Sequence, residues 1–372
     1  MMNLPNRNSW TGVIVFGGLL LCCPSWALGQ LSTAQQVKAA WGERQDKVKT
    51  FRCEWTARET VPKGSNSIGI RGAPEGNPPR DLLLDGKVSL TLGGGKLRYT
   101  HDGQDWSMER GELVPRTFAS AFDGKIGRSF TTKGDLEHPQ GWIVSDDRAQ
   151  DASSLIVSPL TVLCRGTDPA FRPFDLDTYE ATGREVKIKD RTCVEFTRQS
   201  RTDERTDTLL LDRSRAYLLL RRTSTVRKTT TLLLTIDYGP EPAVGWVPIS
   251  WEYVVRLPGG SLLKSVQCSA TKTEINPALS ADDFAVPFPP GTWVSDQSSG
   301  TELQSVVQAD GREGKGIPSS AIPSYEQLRE AGPAGRWRWL RIAVPSAVFV
   351  LAFVGLVWIK WRRRTARPAG AV

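Results

Sequence analysis

From residue 51 onward the hydrophobic pattern of this chain keeps a period of two. In Phe51-Arg52-Cys53-Glu54-Trp55-Thr56 apolar and polar residues alternate strictly, which sends one set of side chains to each face of a strand. Runs rich in Thr, Val, Leu and aromatic residues recur at about 87–92, 96–101, 104–109, 125–132, 184–198, 205–212, 216–226, 229–238, 247–256 and 261–274. Asp85-Gly86, Asp102-Gly103 and Asp123-Gly124 lie between such segments and read as hairpin turns. No helices of 10–15 residues alternate with the strands, which argues against a doubly wound parallel sheet. A single antiparallel sheet of about ten strands must curl or split to bury one face, so a curled sheet or partial barrel is expected.

Helical periodicity is confined to a few places. Thr33 and Gln36 are spaced as a capping box ahead of a stripe formed by Val37, Ala40, Trp41 and Val48. Residues 153–165 read as a short helix with Pro159 near its start. Residues 62–80 hold eight Gly or Pro in nineteen positions and read as a loop that interrupts the sheet.

The ends of the chain differ from its middle. Residues 1–29 read as a secretory signal: Arg7, the apolar run Val13–Cys23, Pro24, and small residues at Ser25/Ala27 or Ala27/Gly29. Ile342–Ile359 is eighteen residues without a charge, about 27 Å as a helix and close to the thickness of a bilayer core. Trp337, Trp339 and Arg341 precede it, and Trp358, Lys360, Trp361, Arg362, Arg363 and Arg364 close it, as membrane-interface anchors do. A transmembrane helix over 340–360 with a basic cytoplasmic tail over 361–372 is therefore expected. Residues 298–335, with fifteen Gly, Ser or Pro, are expected as a flexible linker between that helix and an exported domain at 30–297. This arrangement predicts a single-pass protein of the bacterial inner membrane with its folded domain on the periplasmic side.

The formal charge of +8 belongs to these ends. Residues 1–30 hold one basic residue and 336–372 hold eight, with no acid in either, so 39 basic residues face all 40 acidic ones in 31–335. A nearly neutral domain gives no support to nucleic-acid binding.

Catalytic signatures are sparse. The two histidines, His101 beside Asp102-Gly103 and His138 beside Pro139, read as turn residues, and no zinc or haem spacing involves them. There is no Gly-x-Ser-x-Gly elbow, P-loop or dinucleotide fingerprint. Adjacent carboxylates such as Asp146/Asp147 and Asp282/Asp283 would point to opposite faces of a strand. No cofactor and no metal are expected. Cys53, Cys164, Cys193 and Cys268 follow the signal; three disulfide pairings are open to them, and Cys53 and Cys268 also share the parity of core residues.

VKAAWGERQDKVKTFRCEWT (37–56), SAFDGKIGRSF (120–130), IDYGPEPAVGWVPISWEYVV (236–255) and INPALSADDFAVPFPPGTWVSD (275–296) resemble segments of the outer-membrane lipoprotein-sorting (LolA-like) superfamily. The resemblance implies a mainly β (α+β) fold: a curved antiparallel half-barrel with an N-terminal helix and short helices on its concave side, here with one transmembrane helix added. It also implies an apolar cavity that binds a lipid or acylated protein without catalysis. The gating arginine of the carriers has no matching position, and an anchored chain is not a free shuttle. Candidate cavity liners share parity along their strands: Phe51, Trp55, Leu90, Leu92, Leu97, Tyr99, Trp251, Tyr253 and Val255. Two other readings are an envelope sensor or scaffold that binds a protein partner, and a hydrolase using His101 or a carboxylate.

Overall fold

The computed structural model describes residues 32–65, 78–145, 156–168, 171, 175–200, 202, 204–321 and 323–330. The expected signal (1–29), transmembrane helix (340–360), tail (361–372) and interface residues Trp337 to Arg364 lie outside the described residues, as do most of the loop at 62–80 and the pair Asp146/Asp147. Helix α1 (Thr33–Lys47) precedes six strands: β1 (Thr50–Val61), β2 (Leu82–Gly93), β3 (Lys96–Ser107), β4 (Glu112–Phe122), β5 (Gly127–Lys133) and β6 (Gln140–Val144). Helix α2 (Ser158–Arg165) separates these from β7 (Glu180–Ile188), β8 (Arg191–Gln199), β9 (Arg205–Asp212), β10 (Leu218–Val226), β11 (Thr229–Glu241), β12 (Gly245–Arg256) and β13 (Leu262–Ile275). The chain then forms β14 (Trp293–Asp296), β15 (Leu303–Val306), β16 (Ile317–Pro318) and α3 (Tyr325–Glu330).

All strands join one sheet of sixteen, in the order β16-β15-β14-β6-β5-β4-β3-β2-β1-β13-β12-β11-β10-β9-β8-β7. The expected antiparallel half-barrel is thereby corrected. The sheet is open at both ends, and it is mixed, because β14 runs parallel to β6. Among the described residues no helix is long and apolar enough to cross a membrane. The parallel pair arises because residues 276–292 carry the chain from β13 across the sheet before β14 begins. Asn276 starts that crossing in a left-handed conformation, its side chain accepting from Lys49 N at 2.7 Å and donating to Lys47 O at 2.9 Å. Arg52 then pairs with Asp283, and Phe284 packs above Gly93, where a Cβ would lie 3.3 Å from the ring.

Within the segment expected as a linker, Leu303–Val306, Ile317–Pro318 and Tyr325–Glu330 are ordered elements. Val306, Val307 and Leu328 are buried, Tyr325 stacks on His138 with ring centroids 3.4 Å apart, and Tyr325 donates to Gly291 O at 3.0 Å. These strands are two to four residues long, too short for a period of two to register, so a Gly- and Ser-rich segment reads as coil.

Two of the three Asp-Gly pairs are not turns. Gly86 and Gly103 face each other across β2 and β3, and only Asp123-Gly124 turns the chain, between β4 and β5. The β2–β3 turn is Gly94-Gly95, with φ of 56° and 75°, the left-handed geometry of a tight hairpin. The pairs inside the strands have a steric cause. A Cβ at Gly86 would lie 2.4 Å from His101 Nε2, and one at Gly103 would lie 2.9 Å from Asp85 O. Helix α1 is capped one residue earlier than expected: Ser32 Oγ accepts from Gln35 N, and Gln35 Oε1 accepts from Ser32 N at 2.8 Å. Helix α2 occupies the second half of its expected range, with Pro159 in its first turn, where a missing N–H costs nothing.

One main core lies between α1, α2 and the sheet from β4 through β1 and β12 to β8. A second core, of Ala119, Ala121, Ile143, Val286, Phe288, Val294 and Val307, includes the opposite-parity residues of β4 and the crossing segment. A third, small cluster of Val61, Leu82, Leu84 and Trp106 sits at the strand ends beside the 62–80 loop.

Candidate functional site

The expected cavity liners converge, but on packed neighbours. Phe51, Trp55, Leu90, Leu92, Leu97, Tyr99, Trp251 and Tyr253 are all buried in the main core, and half-buried Val255 packs against it. Register explains the convergence: Trp55 pairs with Val88, Leu90 with Tyr99, and Trp251 with Cys268, so the odd positions of β1 meet their neighbours on one face. Trp55 and Trp251 lie 5.5 Å apart between ring centroids, and Trp55 and Tyr99 lie 6.5 Å apart, both tilted. The Trp251 indole donates to Ile156 O at 2.9 Å, beside Leu160, Val162 and Leu163 of α2, which are buried in the same core. Clefts of about 600, 230 and 490 Å³ are lined by other residues altogether.

The helices are fixed to the sheet by polar side chains that the hydrophobic pattern does not reveal. Ala216 and Tyr217 form a left-handed turn, with φ of 49° and 58°, ahead of β10. Helix α1 grips it three times: Arg44 donates to Ala216 O at 2.6 Å, Trp41 Nε1 to Tyr217 O at 2.8 Å, and Tyr217 Oη to Gln36 Oε1 at 2.7 Å. Burial pulls the Arg44 guanidinium below its ordinary pKa. Arg165 at the end of α2 donates to Val48 O at 2.7 Å and Lys49 O at 2.8 Å, satisfying carbonyls just past the C-terminus of α1.

His101 belongs to β3 rather than to a turn, and it shares the parity of Leu97 and Tyr99. Burial first, and then the nearby Arg116 charge, hold its pKa below the ordinary imidazole value. Arg116 and Lys133 converge on Asp105 at 3.4 and 3.5 Å. Among the described residues no side chain hydrogen-bonds the imidazole. The Asp282/Asp283 pair has a structural part, because Asp283 accepts from Ser280 N at 2.7 Å and pairs with Arg52.

Sequence reasoning missed a buried carboxylate at Asp207. Burial alone would raise its pKa, but hydrogen bonds from Ser224 and Arg198 and the Arg198 charge hold it below the ordinary carboxylate value. Its Thr-rich strand context, Arg205-Thr206-Asp207-Thr208, reads as a solvent-facing position and carries no signal of this. The four described cysteines are free and buried. Burial pushes the Cys53 thiol up to about 12 and raises those of Cys164, Cys193 and Cys268 as well. Among the described residues no three His, Cys, Asp or Glu side chains are grouped to hold a metal ion.

Neither a family model nor a curated protein matches this chain. Solved structures give remote likenesses. A DUF1329 family protein from Desulfovibrio piger has a TM-score of 0.38 at 11% identity, covering 67% of this chain and 97% of its own. PNGF-II has a TM-score of 0.22 at 8% identity, covering 67% of this chain and 32% of its own. MucB, solved in complex with MucA(peri), has a TM-score of 0.20 at 13% identity, covering 68% of this chain and 59% of its own.

Proposed function

We propose that this chain is a non-catalytic protein of the bacterial cell envelope whose long sheet serves as a scaffold for a protein partner. The export signal expected at residues 1–29 supports a folded domain beyond the cytoplasmic membrane. The observation that carries the scaffold reading is the fate of the nine expected cavity liners. They are packed against one another and share a core with residues of α1 and α2, and lipid binding would need apolar side chains left uncovered. A sheet filled on this face offers its strand surfaces and tips instead. Leu83, Met108 and Ile249 are large apolar residues exposed on those surfaces.

The test is photo-crosslinking in cells that express the full chain, with a photoreactive residue at position 83, 108 or 249. A discrete adduct with one recurring envelope protein is expected from at least one position. Uncrosslinked chain alone from all three positions, or recovery of the chain in the cytosol, would contradict the proposal.

A further inference from the structure

Where the β7–β8 turn folds back toward β10 and β11, a cleft of about 230 Å³ is lined by Lys187, Lys189, Arg191 and Arg221 against a single acid, Asp237. Ile188, Leu220 and Ile236 also line it. Lys189, in a left-handed conformation at the turn, lies 3.3 Å from Asp237. Lys187 and Arg221 have no ion-pair partner among the described residues, and Arg221 Nε is buried without a hydrogen-bond acceptor. Four cations face Asp237 at the cleft and Asp212 behind Arg191, which leaves the cleft short of negative charge.

Arg191 faces a buried carboxylate as well as the cleft. It also lines a second cleft of about 490 Å³, with Arg213, Arg215, Glu185 and Asp190, so it stands where the two meet. Behind it Asp212 is fully buried, accepting from Ser214 N at 3.0 Å and Ser214 Oγ at 2.6 Å through Oδ1. Its Oδ2 lies 3.9 Å from both Arg191 Nε and Arg215 Nε, and Arg215 rests 3.5 Å over the Trp246 ring. The buried carboxylate attracts both guanidiniums by charge without hydrogen-bonding either, so their N–H groups are not used up on it.

We propose that the cleft at Arg191 and Arg221 binds a phosphate-type oxyanion, either free or carried as a monoester. Arg191 and Arg221 supply the planar donor forks and the two lysines supply point charges. Half-buried Ile188 offers apolar surface beside the cations for the organic part of an ester. The site does not depend on the scaffold reading: its floor, Leu220 and Ile236, belongs to the main core, and its four cations stand outside that core whether or not the core is filled.

The test uses the full chain in detergent and chloride buffer, titrated calorimetrically with inorganic phosphate and with glycerol phosphate. Flotation with phosphatidic acid or phosphatidylcholine vesicles forms a third arm. Saturable binding is expected in at least one arm, weakened about tenfold or more in both Arg191→Gln and Arg221→Gln. It should be unchanged in Arg312→Gln, which removes an exposed cation far along the chain. Circular dichroism and the melting temperature confirm that each variant is folded. The arm that responds identifies the source as free anion, soluble ester or lipid headgroup. Absence of saturable binding in all three arms would overturn the site, as would folded Arg191→Gln and Arg221→Gln proteins that bind like the wild type.

Discussion

The indole N–H of Trp41 donates to the carbonyl oxygen of Tyr217 at 2.8 Å, across 176 residues of sequence. That carbonyl belongs to a left-handed turn whose other member, Ala216, is held by Arg44. Helix α1 thus satisfies the polar backbone of a strained corner while covering the core. Trp41→Phe keeps most of the ring and leaves a buried carbonyl unpaired, so a loss of about 1–3 kcal/mol is expected in urea denaturation. A stability equal to wild type would show that the bond contributes nothing to docking.

Gly86 and His101 should behave as a coupled pair. A Cβ at Gly86 would overlap His101 Nε2 at 2.4 Å, so Gly86→Ala should destabilise by about 1–3 kcal/mol. In a His101→Ala background the same change should cost markedly less, giving a coupling of at least about 0.5 kcal/mol in a double-mutant cycle. Additive losses would contradict the contact.

His101 also sets a pH dependence. Its pKa in the fold is depressed by burial and by Arg116, so its contribution is fully present above the unfolded value of about 6.5 and is lost as pH falls below that. An imidazole NMR titration should give a midpoint below about 6.5. A midpoint above it would contradict the placement.

The thiols titrate in the opposite direction. With Cys53 pushed up to about 12, the contribution of its neutral form is complete below the free-thiol value of about 8.5 and fades as pH climbs toward 12. In the 32–330 segment all four cysteines should resist a thiol reagent at pH 8 until denaturant is added. Rapid labelling of any one of them in the native protein would contradict its burial.

Residues 303–330 are predicted to be part of the fold. Ending the chain at residue 297 removes the buried Val306, Val307 and Leu328, a loss on the order of 5 kcal/mol before relaxation. The truncated chain should unfold at clearly lower urea than 32–330, or aggregate. Equal midpoints would restore the boundary at 297.

What could be read from the sequence follows from how far each signal reaches along the chain. The alternation at Phe51, Cys53 and Trp55 located both the strand and its buried face, because period two is a local property. Asp85-Gly86 and Asp102-Gly103 misled because glycine serves two purposes. At both positions it makes room for His101 and the neighbouring strand, while Gly94-Gly95 makes the turn. The strands β14 to β16 are set by pairing with residues more than a hundred positions earlier, or with each other, and no short pattern records that. The shared parity of the nine expected liners was legible, since all of them reach one face. Whether a helix fills that face depends on contacts such as Trp251 to Ile156, which join residues far apart in the chain.

The most direct test of the scaffold reading is the mass of the exported 32–330 protein, purified from the envelope without delipidation, measured under native conditions and followed by solvent extraction. A core already filled by its own side chains predicts the mass of the polypeptide alone, no extracted acyl species, and no uptake of a fluorescent fatty-acid probe. One acyl chain per protein, or stoichiometric uptake of the probe, would contradict it.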